Sequence, residues 1–282
     1  MLVLTCASKL SALRRLLTHS FPESLKVCGA LHHVIDKNPF GLQVLVDQWP
    51  DFTSVICRPP LEDMKDPEDP YTNTYFLFSK DPQGLRHFLQ DPQTVNWKQQ
   101  LQIQGCQPAL TGVLQEVSSK HGSQMQTTSN LLYMRDGIND EDLEKMSKIS
   151  DLQFSSLSPE EAFLVNEVWA MGGNTISERY VGKCLQNFPN VCARRFGVGN
   201  PVAWTMSEQS CEMRMGYTDK AYRNQGVFRT SIIRLAMQLN ARGSPLYCHV
   251  APDNKQSQAA TLGAGFPLVG RWQQWKFQPL LL

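Results

Sequence analysis

The chain has 282 residues, and its 27 Lys and Arg against 26 Asp and Glu give a formal net charge of +1. This length suffices for two domains of ordinary size or one large domain, either of which can bury a hydrophobic core. Hydrophobic residues at 41% and charged residues at 19% exclude collagen, coiled-coil and disordered chains. The near-neutral charge, without a Lys and Arg tract, argues against nucleic-acid partners, because phosphate contacts supply most of that affinity.

Short apolar segments and scattered cysteines exclude two further classes of protein. Apolar runs such as Leu131–Met134 are far shorter than the roughly 18 residues that cross a bilayer, so we expect no membrane span. The 8 cysteines show neither a CxxC pair nor metal-ligand spacing. We therefore expect reduced, packed thiols and no bound metal.

The N-terminal segment allows two interpretations. It contains Lys9, Arg14, Arg15 and His19 with no acidic residue before Glu23, and its leucines recur at helical spacing. This is the composition of a mitochondrial transit peptide. The alternative is an amphipathic first helix of the folded protein. We expect a mitochondrial location, with the cytoplasm or the surface of the endoplasmic reticulum as alternatives.

The N-terminal half has the pattern of an α+β lobe, with strands separated by turns and followed by helices. The predicted strands are 24–31, 42–49, 53–58 and 71–78, and the predicted helices are about 81–91 and 95–103. Residues 121–150 are rich in Ser, Gln, Thr, Asp and Lys, which favours a linker. We therefore expect an N-terminal lobe at 1–148 and a C-terminal lobe at 149–282.

The C-terminal lobe shows a clearer order of elements. Ser158 followed by Pro159 and two glutamates is typical of a helix start, and Gly243 with Pro245 ends a later amphipathic helix. The predicted strands are 152–157, 191–196, 202–206, 211–218, 246–250 and 269–277, and the predicted helices are 158–171, 178–187, 225–242 and 255–262. Their order is β–α–α–β–β–β–α–β–α–β.

This order, with Tyr222–Gly226 between a strand and a helix, resembles the GCN5-related N-acetyltransferase fold. The acyl-CoA motif of that family has Arg or Gln first, Gly fourth, and Gly or Ala sixth. Arg223 and Gly226 fit the motif, whereas Phe228 replaces the small sixth residue. Over nearly its whole length the chain is similar to the glycine N-acyltransferase family, in the stretches Glu23–Val27, Asn38–Phe40, Trp49–Phe52, Tyr71–Tyr75, Asn96–Lys98, Cys211–Thr218 and Trp272–Trp275.

The resemblance implies an α+β protein whose C-terminal lobe binds acyl-CoA and is catalytic, with an N-terminal lobe that can be a degenerate copy of the same fold. It implies transfer of an acyl group from acyl-CoA to the amino group of glycine, or of glutamine as in some members. Thr175 and Ile176 replace an acid–base pair of the relatives, which leaves the acceptor open. Acyl-CoA is then a co-substrate, no cofactor is bound permanently, and we expect a monomer.

The start of the helix after Tyr222–Gly226 is suited to the phosphates of coenzyme A. Such a turn offers unpaired backbone N–H groups and the positive end of the helix dipole, and Gly226 permits close backbone approach. The alternative is that Gly226 only makes a tight turn. The residues expected to contact acyl-CoA are Met215, Gly216, Tyr217, Arg223, Asn224, Gln225, Gly226, Val227, Phe228 and Asn254, and the alternative role for Asn254 is a helix N-cap.

Amide formation requires a general base, because the attacking amine must lose a proton. Glu212 resembles the catalytic glutamate of the family and is the candidate. Strand alternation places Arg214 on the same face, so the alternative is a structural Glu–Arg pair. A backbone N–H near Met215 or Gly216 could stabilise the oxyanion.

A covalent acyl-cysteine route is also conceivable on this sequence. Cys248 and His249 are adjacent on a strand, so their side chains face opposite sides and cannot pair with each other. Direct transfer is therefore expected.

Three functions are open at this stage. They are N-acylation of a small amino acid, acetylation of protein amines on the same fold, and acyl-CoA binding with little or no catalysis. The departures at Phe228 and at Thr175 and Ile176 are the features that keep the third function open.

Overall fold

A computed structural model of the chain describes residues 1–144, 146, 150–197 and 199–280. The chain folds into two compact units, of which the first comprises Met1–Asn130 with Gly270–Leu282 and the second Leu131–Val269. This division differs from the boundary expected after residue 148, because a strand begins within the expected linker and ends in the second unit. In the described part of the chain, no helix combines the length and apolar character that crossing a bilayer requires.

The first unit is a mixed sheet with two pairs of helices. Its elements are β1 (Leu2–Leu4), α1 (Ala7–Thr18), α2 (Leu25–Asp36), β2 (Gln43–Val46), β3 (Ser54–Arg58), β4 (Thr74–Ser79), α3 (Pro82–Gln90), β5 (Leu101–Gly105), α4 (Thr111–Lys120), the first part of β6 (Ser123–Arg135) and the last strand, β12 (Leu268–Pro279). The strand order is β1-β2-β3-β4-β5-β12. Strands β4 and β5 run parallel, and the other neighbours run antiparallel.

Alternating residues of this sheet face two separate hydrophobic clusters. Val44 and Phe76 pack with the buried leucines of α1 and with α2, whereas Leu45 and Leu77 pack with α3 and α4. The first helix buries Leu10, Leu13 and Leu17. The interpretation of this segment as an amphipathic helix of the folded protein is therefore confirmed.

Three predictions in the N-terminal half are wrong. The segment 24–31 is the start of helix α2, because nearly every residue there is buried and a helix buried all round lacks the periodicity that separates it from a strand. The second predicted helix, 95–103, is replaced by β5, in which the buried Gln102 and Gln104 alternate with apolar residues. The expected linker 121–150 contains β6, whose polar residues at 126–129 are exposed and so hide the strand pattern.

The second unit follows the predicted order of elements. It contains the end of β6, α5 (Asp140–Glu144), β7 (Leu152–Ser155), α6 (Ala162–Val168), α7 (Thr175–Asn187), β8 (Asn190–Arg195), β9 (Pro201–Ser207), β10 (Met213–Thr218), α8 (Val227–Ala241), β11 (Leu246–Val250) and α9 (Lys255–Gly263). The strand order is β7-β8-β9-β10-β11-β6, with β10 and β11 parallel. The predicted antiparallel meander of β8, β9 and β10 is confirmed.

Both units repeat one order of elements, β–α–α–β–β–β–α–β–α–β, and in both the fourth and fifth strands are the parallel pair. The expectation that the N-terminal lobe copies the fold of the C-terminal lobe is therefore confirmed. The tenth element is exchanged: the end of β6 pairs with β11 in the second unit, and β12 pairs with β5 in the first.

Candidate active site

A cleft of about 880 Å³ lies in the second unit at the starts of α8 and α9. This is the size of an ordinary ligand pocket. Nine of the residues expected at the site line it, namely Gly216, Tyr217, Arg223, Asn224, Gln225, Gly226, Val227, Phe228 and Asn254. The two other predicted residues, Glu212 and Met215, are buried and do not belong to this lining.

The start of α8 presents backbone donors to the cleft. Gly226 is the N-cap, with φ of 77°, and no side chain caps the helix. The first helical hydrogen bond is donated by the Thr230 N–H to the Gly226 carbonyl at 2.9 Å. The N–H groups of Val227 and Phe228 precede that bond and therefore have no acceptor within the helix. Together with the helix dipole they form a site for an anion such as phosphate.

Basic side chains add positive charge to the same cleft. Arg223, Arg229 and Lys255 line it, and Arg223 Nε donates to the Thr218 carbonyl at 3.0 Å. Sequence reasoning did not identify Thr218, Tyr222, Arg229, Lys255, Gln256, Ser257, Ala259 and Ala260. The sequence did contain a signal for them: α8 and α9 are each the next α-helix after one of the two parallel strands, so both helix starts lie at the same sheet edge.

Asn254 is the helix N-cap that the sequence allowed, and it also lies at the cleft. Its side chain accepts from the Ser257 N–H at 3.0 Å, as a helix N-cap does, and the residue also lines the cleft. The N-cap of α9 is therefore an uncharged side chain, which adds no negative charge to the cleft.

A β-bulge opens the sheet beside the cleft. The register of β10 against β9 shifts between Arg214 and Tyr217, and Met215 has a φ of 55°. The ring of Phe228 lies on Gly216, where an added Cβ would come within 2.5 Å of two ring carbons. Phe228 thus occupies the space that a side chain at 216 would need. The large residue at the sixth position of the motif fits because residue 216 is a glycine.

Glu212 and His249 form a close pair in the same unit. His249 Nδ1 lies 2.6 Å from Glu212 Oε1, and the side chains are 15% and 0% exposed. Met213 pairs with Cys248 in the parallel register, so the residues before and after that pair share the opposite face of the sheet. From the sequence, His249 was tested as a partner only for its neighbour Cys248. The register of the two parallel strands, which brings His249 to Glu212, could not be read from the sequence.

Arg214 is a buried cation beside this pair. Its Nε lies 4.0 Å from Glu212 Oε2, which confirms the shared face predicted from strand alternation. Its Nη2 donates to Met171 Sδ at 3.8 Å, and its guanidinium lies 5.8 Å from the ring centre of Trp169. Burial alone would lower the pKa of Arg214, but the carboxylates of Glu212 and Glu208 outweigh burial and raise it.

The loop that precedes β10 is held by buried hydrogen bonds. The Tyr247 hydroxyl donates to the Ser210 carbonyl at 2.7 Å, and the Ser210 N–H donates to Glu208 Oε1 at 3.0 Å. The Tyr180 hydroxyl donates to Glu208 Oε2 at 3.4 Å. Because Tyr247 belongs to β11 and Tyr180 to α7, the loop directly before Glu212 is held against the sheet and a helix.

The thiols of the second unit do not support covalent transfer. All 8 cysteines lie in the described part of the chain, none forms a disulfide, and seven are buried. Burial, followed by the charge of Glu212, raises the pKa of Cys248 to about 12, and a side-chain hydrogen bond from Thr261 opposes that rise. A thiol with this pKa stays protonated at neutral pH and is a poor nucleophile.

Sequence comparisons assign nearly the whole chain to one family. The family profile described as aralkyl acyl-CoA:amino acid N-acyltransferase matches residues 1–189, and the profile of its C-terminal region matches residues 196–279. Bovine glycine N-acyltransferase is 38% identical, with 99% of this chain and 100% of that protein aligned. Human glycine N-acyltransferase-like protein 2 is 39% identical, with 99% of both chains aligned.

Solved structures share the fold at low identity. A Drosophila protein solved by X-ray crystallography is 15% identical, with a TM-score of 0.77 over 99% of this chain and 98% of that one. A tandem GCN5-related N-acetyltransferase protein from the clavulanic acid biosynthesis pathway is 13% identical, with a TM-score of 0.52 over 98% and 97%. These likenesses show the GCN5-related fold, and the second agrees with the repeated order of elements.

Proposed function

This chain belongs to the aralkyl acyl-CoA:amino acid N-acyltransferase family, and from that premise we propose that it transfers an acyl group to glycine, giving N-acylglycine and CoA. That it is an acyl-CoA:amino acid N-acyltransferase follows from the family. The glycine acceptor and the course of the reaction are the proposed part. Acyl-CoA binding is supported by the start of α8, which no side chain caps and which opens into a cleft lined by Arg223, Arg229 and Lys255. The glycine acceptor is supported by the relatives named glycine N-acyltransferase.

The cleft suits the phosphates of the co-substrate. The N–H groups of Val227 and Phe228 would bind a phosphate oxygen at the helix start, and the three basic side chains would neutralise further phosphate charge. In the described part of the chain β10 pairs with β11 at Met213 and Cys248 alone, and the bulge at Met215 and Gly216 follows directly, so the pantetheine arm can run along β10 beyond that pair. The thioester would then lie near the N–H groups of the bulge, which can stabilise the oxyanion.

Direct attack accounts for the chemistry with the groups at hand. The amine nitrogen of glycine forms a bond to the thioester carbonyl carbon, the carbon–sulfur bond breaks, and CoA leaves as a thiolate that takes a proton from water. The proton lost by the amine passes to a general base that depends on Glu212. The raised pKa of Cys248 supports this route over an acyl-cysteine intermediate.

Release of the CoA thiol with defined substrates tests the proposal. Benzoyl-CoA, phenylacetyl-CoA and a long-chain acyl-CoA would each be offered with glycine and with glutamine. We expect thiol release with glycine, and a Glu212→Gln variant should lose most of it at pH 7 and recover part as pH rises and more amine is neutral. Faster thiol release with glutamine would show that glutamine, and not glycine, is the preferred acceptor. No thiol release with either amino acid would refute the proposal.

The mitochondrial location is a separate proposal. It is supported by the basic, acid-free segment before Glu23, which forms the amphipathic helix α1. A fluorescent protein carrying residues 1–22 should enter mitochondria, whereas a variant with Arg14 and Arg15 changed to glutamine should not.

A further inference from the structure

We propose that His249 takes the proton from the acceptor amine and that Glu212 positions its imidazole. This inference rests on the proposed function, in which a neutral amine attacks the thioester. It assigns catalysis to a residue for which the sequence offered no pattern, and it gives Glu212 a positioning role.

Access to substrate separates the two side chains. A general base must come within hydrogen-bond reach of the proton that it removes, directly or through one water. The Glu212 side chain is 0% exposed, whereas 15% of the His249 side chain remains exposed. The two carboxylate oxygens of Glu212 also face partners, Oε1 toward His249 at 2.6 Å and Oε2 toward Arg214 at 4.0 Å. His249 is therefore the member of the pair that can meet a substrate.

The surrounding charges favour a proton on the imidazole. The buried Arg214 stabilises the ionised form of Glu212, and an ionised carboxylate bonded to an imidazole stabilises the imidazolium. In the tautomer with the proton on Nδ1, His249 donates to Glu212 Oε1 and accepts the amine proton at Nε2. Among the described residues, the titratable groups that act on Arg214 or on Cys248 beside Glu212 include Glu208, Tyr180 and Cys184.

A second buried carboxyl group lies near the same cation, because Glu208 as well as Glu212 raises the pKa of Arg214. The guanidinium therefore interacts with two carboxyl groups, and Oε1 of Glu212 lies against His249 at 2.6 Å. This arrangement lets Glu212 hold the imidazole while Arg214 faces its other oxygen.

Glu212 directly precedes β10 and His249 lies in β11, the two strands that lead to the cleft. His249 precedes Asn254 by five residues, and Glu212 precedes Gly216 by four. At about 3.3 Å per residue of strand, these spans place the pair within roughly 17 Å of cleft residues along the backbone. An extended arm that starts at the phosphate site and follows β10 is therefore directed toward the pair.

Removal and chemical rescue of the imidazole test the inference. We expect His249→Ala to lower kcat with glycine about 100-fold to 10,000-fold while the affinity for acyl-CoA stays within about twofold. Added imidazole should restore part of the rate in proportion to its concentration. His87→Ala, which removes an exposed histidine of the first unit, is the matched control and should neither lose activity nor respond to imidazole.

Three outcomes would overturn the assignment. These are a His249→Ala enzyme within a fewfold of the wild-type rate, loss of activity without rescue, and loss of acyl-CoA affinity together with the rate. His249→Gln provides a second variant of similar shape if His249→Ala fails to fold. Glu212→Gln should shift the rising limb of the pH–rate profile, as expected for a positioning residue, and an unshifted limb would contradict that role.

The inference and the proposed function fail in different ways. If wild-type enzyme releases CoA with glycine but His249→Ala does so equally well, only the assignment of His249 is refuted. If wild-type enzyme releases no CoA with any amino acid, both are refuted.

Discussion

In the first unit the parallel strands stay together over three residue pairs, from Thr74 with Gln102 to Phe76 with Gln104. In the second unit the corresponding strands pair at Met213 with Cys248 alone among the described residues, and beyond this pair a bulge shifts the register of β10 against β9. The same order of elements thus gives continuous pairing of the two parallel strands in the first unit and a single pair in the second. The difference lies in the backbone of β10 and not in the fold.

The helix that follows the parallel strand shows a second difference. In the first unit Asp81 caps α3, and its carboxylate accepts from the Gln83 N–H at 2.9 Å. In the second unit Gly226 caps α8 without a side chain. A carboxylate at the first cap already occupies the position that corresponds to the proposed phosphate site at the second. The first unit therefore carries its own anion where the second can bind one.

The residues beside the parallel strand pair also differ in charge between the two units. Counted from the first parallel pair of each unit, Glu212 and His249 correspond to Asn73 and Ile103. Asn73 uses its amide nitrogen to bond the carbonyls of Asp66 and Gln100 at 2.9 Å, and Ile103 is fully buried. The first copy is therefore structural at the place where the second has its charged pair.

The largest effect should come from removing the buried cation of the second unit. Arg214→Met leaves Glu212 and Glu208 buried without it, and we expect a loss of about 3–5 kcal/mol in the free energy of unfolding. Tyr75→Phe is the matched change in the first unit, where it removes the acceptor of the Asn96 N–H bond at 3.1 Å and should cost about 1 kcal/mol. Urea unfolding measures both, and equal losses would contradict the contrast between the copies.

A side chain at the bulge should close the opening in the second unit. Gly216→Ala places a Cβ within 2.5 Å of the Phe228 ring, and we expect a loss of about 1–3 kcal/mol in stability. Combining it with Phe228→Ala should recover part of the loss caused by the clash. Thermal unfolding of the two single variants and the double variant measures the coupling. Additive losses would show that the ring does not restrict position 216.

Making the second helix start resemble the first should weaken acyl-CoA binding. Gly226→Asp introduces the cap that α3 has, and charge repulsion should raise the Kd for CoA about tenfold, or about 1.4 kcal/mol. Gly226→Asn is the control, because Asn has nearly the same size and also tolerates a positive φ. Calorimetric titration with CoA compares the two. Equal affinities for CoA in both variants would place the phosphates away from this helix start.

The smallest effect should be the pH dependence of one ion pair in the second unit. Arg194 lies 2.7 Å from Glu161, and its hydrogen bond lowers the pKa of that carboxyl. The stabilisation is present above the ordinary carboxyl pKa of roughly 4.3 and is lost as pH falls through the lowered value. Arg194→Gln should therefore cost about 0.5–1 kcal/mol at pH 6 and much less at pH 3.

The first unit provides the control for this pair. Glu116 there is more exposed, and hydrogen bonds from Arg86 and then Lys120 lower its pKa to about 2. Arg86→Gln should have a smaller effect at pH 6, because solvent screens an exposed pair. Unfolding curves at the two pH values test this, and a larger effect of Arg86→Gln would contradict the ranking.

Local signals in the sequence predicted the parts of the second unit that depend on neighbours along the chain. The cap at Ser158, the glycine at 226 and the amphipathic pattern of α8 each lie within a few residues of the structure that they define. The prediction of the nine residues that line the cleft follows from such signals and from the family motif. The bulge was not predicted, because a positive φ at Met215 has no signature in its neighbours.

Long-range pairing explains what the sequence did not reveal. Helix α2 is buried all round, so its apolar run lacked a helical period. Strand β6 is polar and exposed along much of its length, and its strand character depends on partners that are distant in sequence. The pair of Glu212 and His249 depends in the same way on the register of two strands. None of these features can be read from a local window.

The exchange of the tenth elements makes neither half of the chain self-sufficient. Strand β5 of the first unit pairs with β12, so Gly105 can pair with Gln273 only after the whole second repeat has been synthesised. Until then the edge of β5 is open to pairing with other chains. The repeat therefore couples folding of the first unit to completion of the second, and a chain whose synthesis stops early has a first sheet with an unprotected edge.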